Sequence, residues 1–338
     1  MALQLRRVAK AVCLSTLARG GQAFFSAVPW QGTAVASPTN HPPGSRASRT
    51  PPTLAASTDL EGKVYLVTGS TDGIGRHTAY RLANEGATVL VHGRSEARVR
   101  ETMDDIRGQV GADACQVEGL VADVSTLEGM DSLCAQVTAK TGHLDCLINN
   151  AGVFEQDFRK TEDGIEYTFA VNVVAPYVIT QRLLPLLRKV PGGGARIINT
   201  SSLSASYSVD FDNLQFERGG YSDHSAYSLS KLCVAMYNKE LARRVPLEHS
   251  GITCNSLDPG TVNTKMLRAG WGMCGIPISR ANYEFQLATS SSADVAERTG
   301  TYYVGGRPSL APPPVQDVDA CVRLWNVLEG LSGVKYTS

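Results

Sequence analysis

The sequence predicts an α/β fold, in which a doubly wound parallel sheet of about seven strands has helices on both faces. Short apolar segments alternate with amphipathic helical segments from residue 59 onward, and no hairpin signal was recognised between them. Such alternation is typical of βαβ units, whose parallel strands are buried between layers of helices. A length of 338 residues with 43% hydrophobic residues is enough for one large domain at 59–338.

The elements follow one another in a regular order. The first strand begins at Val64, and the later predicted strands are Thr88–His92, Gln116–Ala122, Leu144–Ile148, Ala195–Thr200, Ile252–Leu257 and Thr301–Val304. The predicted helices are Ile74–Glu85, Ser95–Arg107, Leu127–Lys140, Glu162–Lys189, Ser225–Arg244 and Val315–Leu328. In such sheets ligands bind at the carboxyl ends of the strands, so the residues that follow the strands are the candidates for function.

A glycine-rich turn joins the first strand to the first helix. The spacing is Thr68-Gly69-x-x-x-Gly73-x-Gly75, with Thr71, Asp72 and Ile74 at the intervening positions. Glycines permit a tight turn and let a pyrophosphate approach the backbone, and the helix N-terminus behind them offers free N–H groups. Because a strand precedes the turn and a helix follows it, nucleotide binding in a Rossmann-type fold is favoured over an ordinary loop.

The end of the second strand indicates which coenzyme binds. An acidic residue there usually binds the ribose hydroxyls of NAD, whereas this chain has Gly93 followed by Arg94. A guanidinium suits a 2′-phosphate, and no carboxylate stands beside it. The sequence therefore predicts NADP(H) in preference to NAD(H); the alternative for Arg94 is a solvated surface arginine.

Tyr227 and Lys231 are four residues apart on one helix face. A nearby ammonium favours the phenolate, so Lys231 is expected to lower the pKa of Tyr227 toward the working pH of a general acid/base. Ser202, in Thr200-Ser201-Ser202 after the fifth strand, would donate a hydrogen bond to a substrate oxygen. His224 is interpreted as a loop histidine, since the tyrosine and lysine already supply this chemistry.

Asn172 lies on an otherwise apolar helix face, and Pro176 follows four residues later. Since proline has no N–H, the carbonyl group of Asn172 loses its helical partner. Two interpretations remain open on spacing alone: the freed carbonyl holds a water in the site, or the helix is simply kinked and the side chain is bonded to a neighbouring strand.

Composition excludes several classes of function. Residues 1–58 carry six basic residues and no acidic one, so the rest of this neutral chain has a net charge of −6, which argues against nucleic acid as a partner. The eight cysteines have neither C-x-x-C spacing nor histidines at metal-ligand spacing, which predicts buried thiols in a reducing compartment and no metal site. No run of about 18 apolar residues was recognised, so no membrane span is expected.

The composition of residues 1–58 predicts a targeting segment. Leu5, Val8, Ala9 and Val12 share a helical face, basic residues lie opposite, and a Ser- and Pro-rich stretch follows. This pattern is typical of an organellar transit peptide and a disordered linker, with mitochondrion preferred over plastid because the arginines come early. The alternative is a tail without an address in a cytoplasmic protein.

Taken together, residues 60 to 332 resemble the short-chain dehydrogenase/reductase family. The resemblance rests on several motifs in family order: Thr68-Gly69-x-x-x-Gly73-x-Gly75, Asp123, Asn149-Asn150-Ala151-Gly152, Asn172, Ser202, Tyr227-x-x-x-Lys231 and Pro259-Gly260 followed by Thr264. It implies hydride transfer between nicotinamide and a carbonyl or alcohol, with Tyr227 as general acid/base. It further implies a homodimer or homotetramer formed through the two long helices.

The resemblance also assigns roles to the other motif residues. Lys231 would bind the nicotinamide ribose and tune Tyr227, Ser202 would orient the substrate oxygen, and Asn172 would anchor a relay water. The cofactor would further contact Gly69, Thr71 to Gly75, Arg94, Asp123 at the adenine, Asn150, Ala151, Gly152, Pro259, Gly260 and, at the carboxamide, Thr264.

Two departures from the common family pattern indicate which branch of the family the chain resembles. Ser202 and Tyr227 are 25 residues apart, and the extra loop with Asp212-Asn213-Leu214-Gln215 is similar to that of retinol-dehydrogenase-like and protochlorophyllide-reductase-like members. This resemblance implies NADP(H) and a large hydrophobic substrate. Asp72 stands where many NADP-using relatives carry a small or basic residue.

The segment after Pro259-Gly260 is predicted to close over the substrate as an apolar, flexible lid. Its alternative role is to fill the core or a subunit contact. The apolar residues of this segment are Met266, Leu267, Trp271, Met273, Ile276, Ile278, Tyr283 and Phe285. The sequence thus predicts an NADP(H)-dependent oxidoreductase for a hydrophobic carbonyl or alcohol; the alternative is a catalytically silent NADP(H)-binding sensor or scaffold.

Overall fold

A computed structural model describes residues 60–111, 115–246 and 250–336 of the chain. The predicted targeting segment 1–58 lies outside these residues, so that prediction and the choice of organelle stay predictions.

The described residues form an eight-stranded sheet in the order β3-β2-β1-β4-β5-β6-β7-β8. The strands are β1 Val64–Val67, β2 Thr88–Gly93, β3 Gln116–Val121, β4 Cys146–Asn149, β5 Ala195–Thr200, β6 Ile252–Asp258, β7 Tyr302–Val304 and β8 Arg307–Ser309. The first seven are parallel, with Tyr65 of β1 paired to Val89 of β2 on one side and to Cys146 of β4 on the other. The predicted doubly wound sheet is confirmed, and its order reverses at β1, where a ligand crevice is expected.

The eighth strand differs from the prediction. β8 pairs antiparallel with β7 through Tyr302–Ser309 and Val304–Arg307, joined by Gly305 and Gly306, whose φ angles are 60° and 73°. A Gly-Gly pair between two short extended segments is a hairpin signal, which the sequence interpretation overlooked. Pro308 in this outer strand has no N–H to offer a further strand, as is common at sheet edges.

Helices cover both faces of the sheet. They are α1 Gly73–Asn84, α2 Glu96–Val110, α3 Leu127–Lys140, α4 Tyr167–Leu187, α5 Asp223–Arg244, α6 Lys265–Trp271, α7 Tyr283–Thr289, α8 Ala293–Ala296 and α9 Val318–Ser332. One core cluster packs α3, α4, α5 and α9 against the sheet, and a second packs α1, α2, α7 and α8 against the other face.

Helix α4 begins five residues later than predicted. The Glu166 side chain accepts hydrogen bonds from the N–H groups of Thr168 and Phe169 and so caps the helix before Tyr167. Residues 170–174 form a π-helical turn directly before Pro176. By length and composition α4 is the one described helix that could cross a membrane, but 89% of its most apolar window is buried inside the protein, as in a core helix.

The segment after β6 is helical where a flexible lid was predicted. It contains α6, α7 and α8, and its apolar residues have two different environments. Phe285 is buried in the core, as the alternative interpretation held, whereas Met273 is 85% exposed beyond the end of α6. Burial of Phe285 therefore contradicts a lid role for α7, and for α6 the lid stays a prediction.

Candidate active site

The turn after β1 is held closely against the loop after β4. A Cβ atom on Gly69 would lie 2.8 Å from Cα of Ala151, and one on Gly75 would collide with the Asn150 amide. The backbone at Gly69 also has a φ of 66°, which favours glycine. These two glycines are therefore required by the close packing of two loops of the chain itself.

Hydrogen bonds fix the same two loops to each other. The Thr68 hydroxyl accepts from the N–H groups of Asn150 and Ala151 at 3.1 and 3.0 Å, and the Asn150 amide donates to the Thr68 carbonyl at 2.7 Å. The Asn150 side chain is thus used within the chain, so its contribution to a cofactor site is to shape the turn.

A buried histidine, which sequence reasoning missed, hydrogen-bonds to the glycine-rich turn. His92 accepts a hydrogen bond from Gly69 N–H at Nδ1 (3.1 Å) and donates from Nε2 to the Ala122 carbonyl (3.1 Å), which fixes the neutral tautomer. Its backbone N–H donates to the Ser70 hydroxyl. Burial lowers the pKa of His92 to about 4, although the hydrogen bond to Ala122 and the charge of Asp123 act in the opposite direction.

The carboxylate of Asp72 is neutralised by two cations. It caps α1 by accepting from Gly73 N–H, and it pairs with Arg98 at 3.1 Å and with Lys265 at 2.8 Å. Burial acts to raise the pKa of Asp72, but the bonds from Lys265 and Gly73 and the two positive charges outweigh it and lower the pKa. An acidic residue at this position therefore brings two cations to the turn.

Arg94 lies at the carboxyl end of β2, exposed, and its guanidinium donates to the Tyr167 hydroxyl at 3.1 Å. It lines a cleft of about 230 Å³ with Gly152, Val153 and Met266. The other lining residues are Phe154, Glu155, Arg159 and Tyr167.

Two further glycines leave bare backbone along this edge, as close approach of a dinucleotide requires. A Cβ on Gly73, where φ is 56°, would lie 3.3 Å from the Thr264 methyl group and would fill the gap between turn and α6. A Cβ on Gly152 would lie 3.4–3.7 Å from Asn172 Oδ1, Lys231 Nζ and Met266 Cε. The bare backbone at both ends of the groove, together with Arg94, Arg98 and Lys265, provides space and positive charge.

Tyr227 lies on α5 with the Ser202 hydroxyl near enough to its phenol to act on the Tyr227 pKa. The prediction that the pKa of Tyr227 is lowered toward the working pH is wrong for this structure. Burial raises that pKa, the Ser202 hydroxyl only partly offsets this, and the charge of Asp258 adds to the increase. The physical reason is that Tyr227 is only 7% exposed, and desolvation penalises its phenolate more than its neighbours stabilise it.

Lys231 is buried at the same place. Its ammonium donates a 2.8 Å hydrogen bond to the Thr200 carbonyl and lies 5.5 Å from the ring centre of Tyr227. Burial lowers the pKa of Lys231 to about 8, although the charges of Glu284 and Asp258 act to raise it.

The two adjacent serines have different partners. Ser201 is fully buried and donates to the main-chain carbonyl of Lys231 at 2.7 Å, which ties β5 to α5. Ser202 is half-buried, lies 2.8 Å from the Ser204 hydroxyl and faces Tyr227. The geometry therefore favours Ser202 as the hydroxyl that reaches a substrate.

The side chain of Asn172 is fully bonded within the protein. Its Oδ1 accepts from Val153 N–H at 2.8 Å, and its Nδ2 donates to the Val153 carbonyl and to the Ser230 hydroxyl. Ser230 in turn donates to the Tyr227 carbonyl. The partners are a loop and a helix, so the alternative in which this side chain bonds to a neighbouring strand is wrong in that respect. The π-helical turn agrees with both interpretations of the main chain, and π-turns are frequent at functional sites.

The remaining predicted residues occupy the same edge of the sheet. Asp123 is exposed after β3, where its carboxylate accepts from Ser125 N–H at 3.0 Å. Gly260, which follows Pro259 after β6, has a φ of 85° and donates its N–H to Asp258. Thr264 caps α6 by accepting from Leu267 N–H. Thr71 and Ile74 belong to the glycine-rich turn itself.

Three aromatic rings lie around the phenol of Tyr227. Trp271 of α6 lies 5.6 Å from the Tyr227 ring, 5.0 Å from that of His224 and 5.2 Å from that of Phe154. Phe154 also contacts Tyr227 and His224, and it packs against Gly270, where no side chain is in the way. Sequence reasoning missed Phe154, whose only signal is its place just after the Asn149–Gly152 motif.

Comparisons with known proteins show which proteins the chain is similar to. The family model for short chain dehydrogenases matches residues 63–272. Mouse retinol dehydrogenase 14 is 32% identical over 298 residues, covering 81% of this chain and 87% of that protein. Human retinol dehydrogenase 13 is 31% identical over 296 residues, covering 82% and 87%. A solved structure from Escherichia coli CFT073, described as a short chain dehydrogenase complexed with NADPH, has a TM-score of 0.60 at 25% identity, covering 74% of this chain and 99% of that one.

Proposed function

The chain belongs to the short-chain dehydrogenase family, and from that premise we propose that it transfers a hydride between NADP(H) and a hydrophobic carbonyl or alcohol, with Tyr227 as general acid/base. The observation that carries the proposal is the convergence of Ser202, Tyr227 and Lys231 beside the bare backbone of Gly152. These residues come from β5, α5 and the loop after β4, and they meet at the carboxyl edge of the sheet.

The residues of the chain would bind and protonate the substrate as follows. When bound, NADPH supplies the hydride that adds to the carbonyl carbon. Ser202 donates a hydrogen bond to the carbonyl oxygen, and Tyr227 gives its proton to the same oxygen, which yields the alcohol. The ammonium of Lys231, 5.5 Å from the Tyr227 ring centre, offsets the charge of the phenolate that remains. Oxidation of an alcohol runs through the same groups in reverse.

Positive charge at the adenine end supports NADP(H) as the coenzyme. Arg94 follows β2, and Arg98 and Lys265 flank Asp72 at the glycine turn, so a 2′-phosphate would meet an excess of cations there. The E. coli structure of similar fold is described as complexed with NADPH. Bound at this edge, the dinucleotide would contact the glycine turn with the adjoining Thr264, Asp123 and the loop of residues 150–152.

The aromatic rings around Tyr227 support a hydrophobic substrate. Phe154, His224 and Trp271 present ring faces and edges beside the phenol, and Met266 adds an adaptable thioether to the adjoining cleft. The curated relatives are named retinol dehydrogenases, which act on an apolar alcohol by name. A lipophilic aldehyde, ketone or alcohol is therefore the proposed substrate class.

Three further properties are proposed on the sequence. Residues 59–338 form the catalytic domain, and residues 1–58 direct it to an organelle, because that segment is basic, amphipathic at its start and free of acidic residues. A homodimer or homotetramer is proposed from the family resemblance. Expression with and without residues 1–58, followed by imaging and by gel filtration, would test all three.

Turnover of the purified full-length chain with NADPH and with NADH, over a panel of hydrophobic aldehydes and ketones, tests the main proposal. NADPH-linked turnover that is lost in Tyr227→Phe would support the enzyme and its coenzyme. Tight NADPH binding without turnover on any member of the panel would favour the sensor or scaffold. A preference for NADH would contradict the role given to Arg94.

A further inference from the structure

The carboxylate of Glu284 is buried behind the active site. Glu284, in the first turn of α7, is 1% exposed, and each of its two oxygens accepts one hydroxyl. Thr200 of β5 donates to Oε1 at 2.7 Å, and Thr78 of α1 donates to Oε2 at 3.0 Å. The carboxylate therefore joins the helix behind the glycine turn to the end of the strand that leads to Ser202.

The same strand residue binds the ammonium of Lys231. The carbonyl oxygen of Thr200 accepts from Lys231 Nζ at 2.8 Å, while its hydroxyl donates to Glu284. One residue thus connects the buried cation to the buried anion through two short hydrogen bonds. Because neither charged group reaches water, each would be costly to bury without the other.

Side-chain contacts from α1 and β5 hold helix α7 in place. Arg81 of α1 lies over the Phe285 ring and donates to Asn282, and Arg196 of β5 donates to the carbonyls of Leu287 and Ser290. Tyr283 packs on Gly260, where a Cβ would lie 3.3 Å from its ring. Glu284 therefore occupies a fixed position between α1, β5 and the end of β6.

We propose that Glu284 is a positioning residue of the active site: through Thr200 its carboxylate fixes the ammonium of Lys231 and supplies the negative charge that this buried ammonium requires. The inference rests on the proposed function only in treating Lys231 as part of a catalytic site. Loss of the charge would leave Lys231 with Asp258 as its remaining buried carboxylate, and Lys231 would release its proton at lower pH.

The other ionisable groups near Glu284 have separate partners. From α1, His77 and Arg81 lie near Asn282, and Arg196 of β5 binds carbonyls at the far end of α7. From β4, the Cys146 thiol is buried, and its pKa is raised to about 12, mainly by burial. Asp258 of β6 accepts from the N–H groups of Leu203 and Gly260. Burial raises the pKa of Glu284 itself, whereas the hydroxyls of Thr200 and Thr78 and the charge of Lys231 act to lower it and so favour the carboxylate. Tyr227 lies next to Lys231 on α5.

The test is a direct titration of Lys231 in the full-length protein without cofactor. The protein carries ¹³Cε-labelled lysine, the signal is assigned with Lys231→Arg, and its chemical shift is followed with pH. Glu284→Gln keeps the shape and removes the charge, so we expect the Lys231 pKa to fall by about one unit or more. Glu284→Asp retains the charge, so the Lys231 pKa in this variant should stay close to the wild-type value.

The matched control is Glu240→Gln. Glu240 is also 1% exposed and also lies on a helix, but it pairs with Arg243 and Arg244. It should destabilise the fold and leave the Lys231 titration where it is. If Glu284→Gln does not fold, Glu284→Leu carries the same test, because it also removes the charge. An unchanged Lys231 pKa in whichever variant folds overturns the proposal.

The titration needs no turnover, so it separates this proposal from the proposed function. If the chain is an enzyme, the alkaline limb of its kcat profile should move to lower pH in Glu284→Gln, by the same amount as the Lys231 pKa. A lower Lys231 pKa in a chain without turnover would support the role of Glu284 and count against the enzyme. A uniformly lower kcat with an unmoved limb would show that Glu284 is merely structural.

Discussion

The indole ring of Trp271 lies 5.6 Å from the phenol ring of Tyr227, at an interplanar angle of 69°. Trp271 ends α6, the helix whose first-turn cap Thr264 meets the glycine turn at Gly73. One short helix therefore borders both the cofactor groove and the position of the substrate. Because Tyr227 is 7% exposed in this arrangement, the prediction that α6 opens and closes over the substrate stays in place for this helix.

Trp271→Ala should weaken the binding of hydrophobic substrates. Loss of the ring contacts with Tyr227, His224 and Phe154 removes about 1–2 kcal/mol of apolar and aromatic contact, so KM should rise about tenfold with a smaller change in kcat. Steady-state kinetics on a long-chain aldehyde would measure it. Met273→Ala is the control, because that side chain is 85% exposed just beyond the helix. Equal KM values in Trp271→Ala and wild type would contradict a substrate contact.

Tyr227→Phe should abolish the proton transfer and keep the coenzyme. The variant retains the ring contacts with Phe154 and Trp271 but has no hydroxyl, so kcat should fall about 10²–10⁴-fold. NADPH affinity, measured by fluorescence titration, should stay close to that of the wild type, because the proposed role of the lost hydroxyl is proton transfer to the substrate. Tyr221→Phe, which removes a hydroxyl bonded to the Glu155 carbonyl in the nearby loop, should keep most activity. Comparable losses in both variants would argue against a special role for Tyr227.

Arg94→Ala should reduce discrimination between the coenzymes. A charge-assisted contact to a 2′-phosphate is worth about 1.5–3 kcal/mol, so NADPH binding should weaken about tenfold or more while NADH binding stays the same. Arg100→Ala is the matched control, since Arg100 is an exposed arginine of the neighbouring helix paired with Glu96. Calorimetric titrations with both coenzymes would measure the ratio. If the affinities for NADPH and NADH fall equally, Arg94 does not bind the 2′-phosphate.

The sheet and the site residues could be predicted because each depends on a short local pattern. The strands from Val64 to Val304 are apolar runs at regular spacing, and Gly69, Ser202 and Tyr227 follow recognisable strand or helix ends. The β7–β8 hairpin carried a local signal as well, in Gly305-Gly306, and was overlooked.

Other features depend on contacts between distant parts of the chain, which no local pattern reveals. Glu284 reaches Thr78 across 206 residues, and Lys265 pairs with an aspartate in the glycine turn. The direction of the Tyr227 pKa shift was missed for the same reason, because spacing shows a lysine one turn away but does not show how deeply the phenol is buried.

His92 makes the glycine turn sensitive to acid. Its folded pKa of about 4 lies below the usual value of 6.5, so the unfolded chain binds the extra proton first as pH falls. The stability that depends on neutral His92 is complete above about pH 6.5 and is lost as pH falls toward 4, a change of about 3 kcal/mol. Protonation would remove the acceptor for Gly69 N–H and so loosen the turn.

Urea unfolding at several pH values between 7.5 and 4 would measure this dependence. His92→Gln should lower stability at pH 7.5 and flatten the fall in unfolding free energy below pH 6.5, because it has no proton to gain. Ser70→Ala is the control: it removes the hydroxyl that accepts from His92 N–H and should lower stability about equally at every pH. If His92→Gln keeps the wild-type slope between pH 6.5 and 4, the acid sensitivity arises elsewhere, and the neutral imidazole under Gly69 does not account for it.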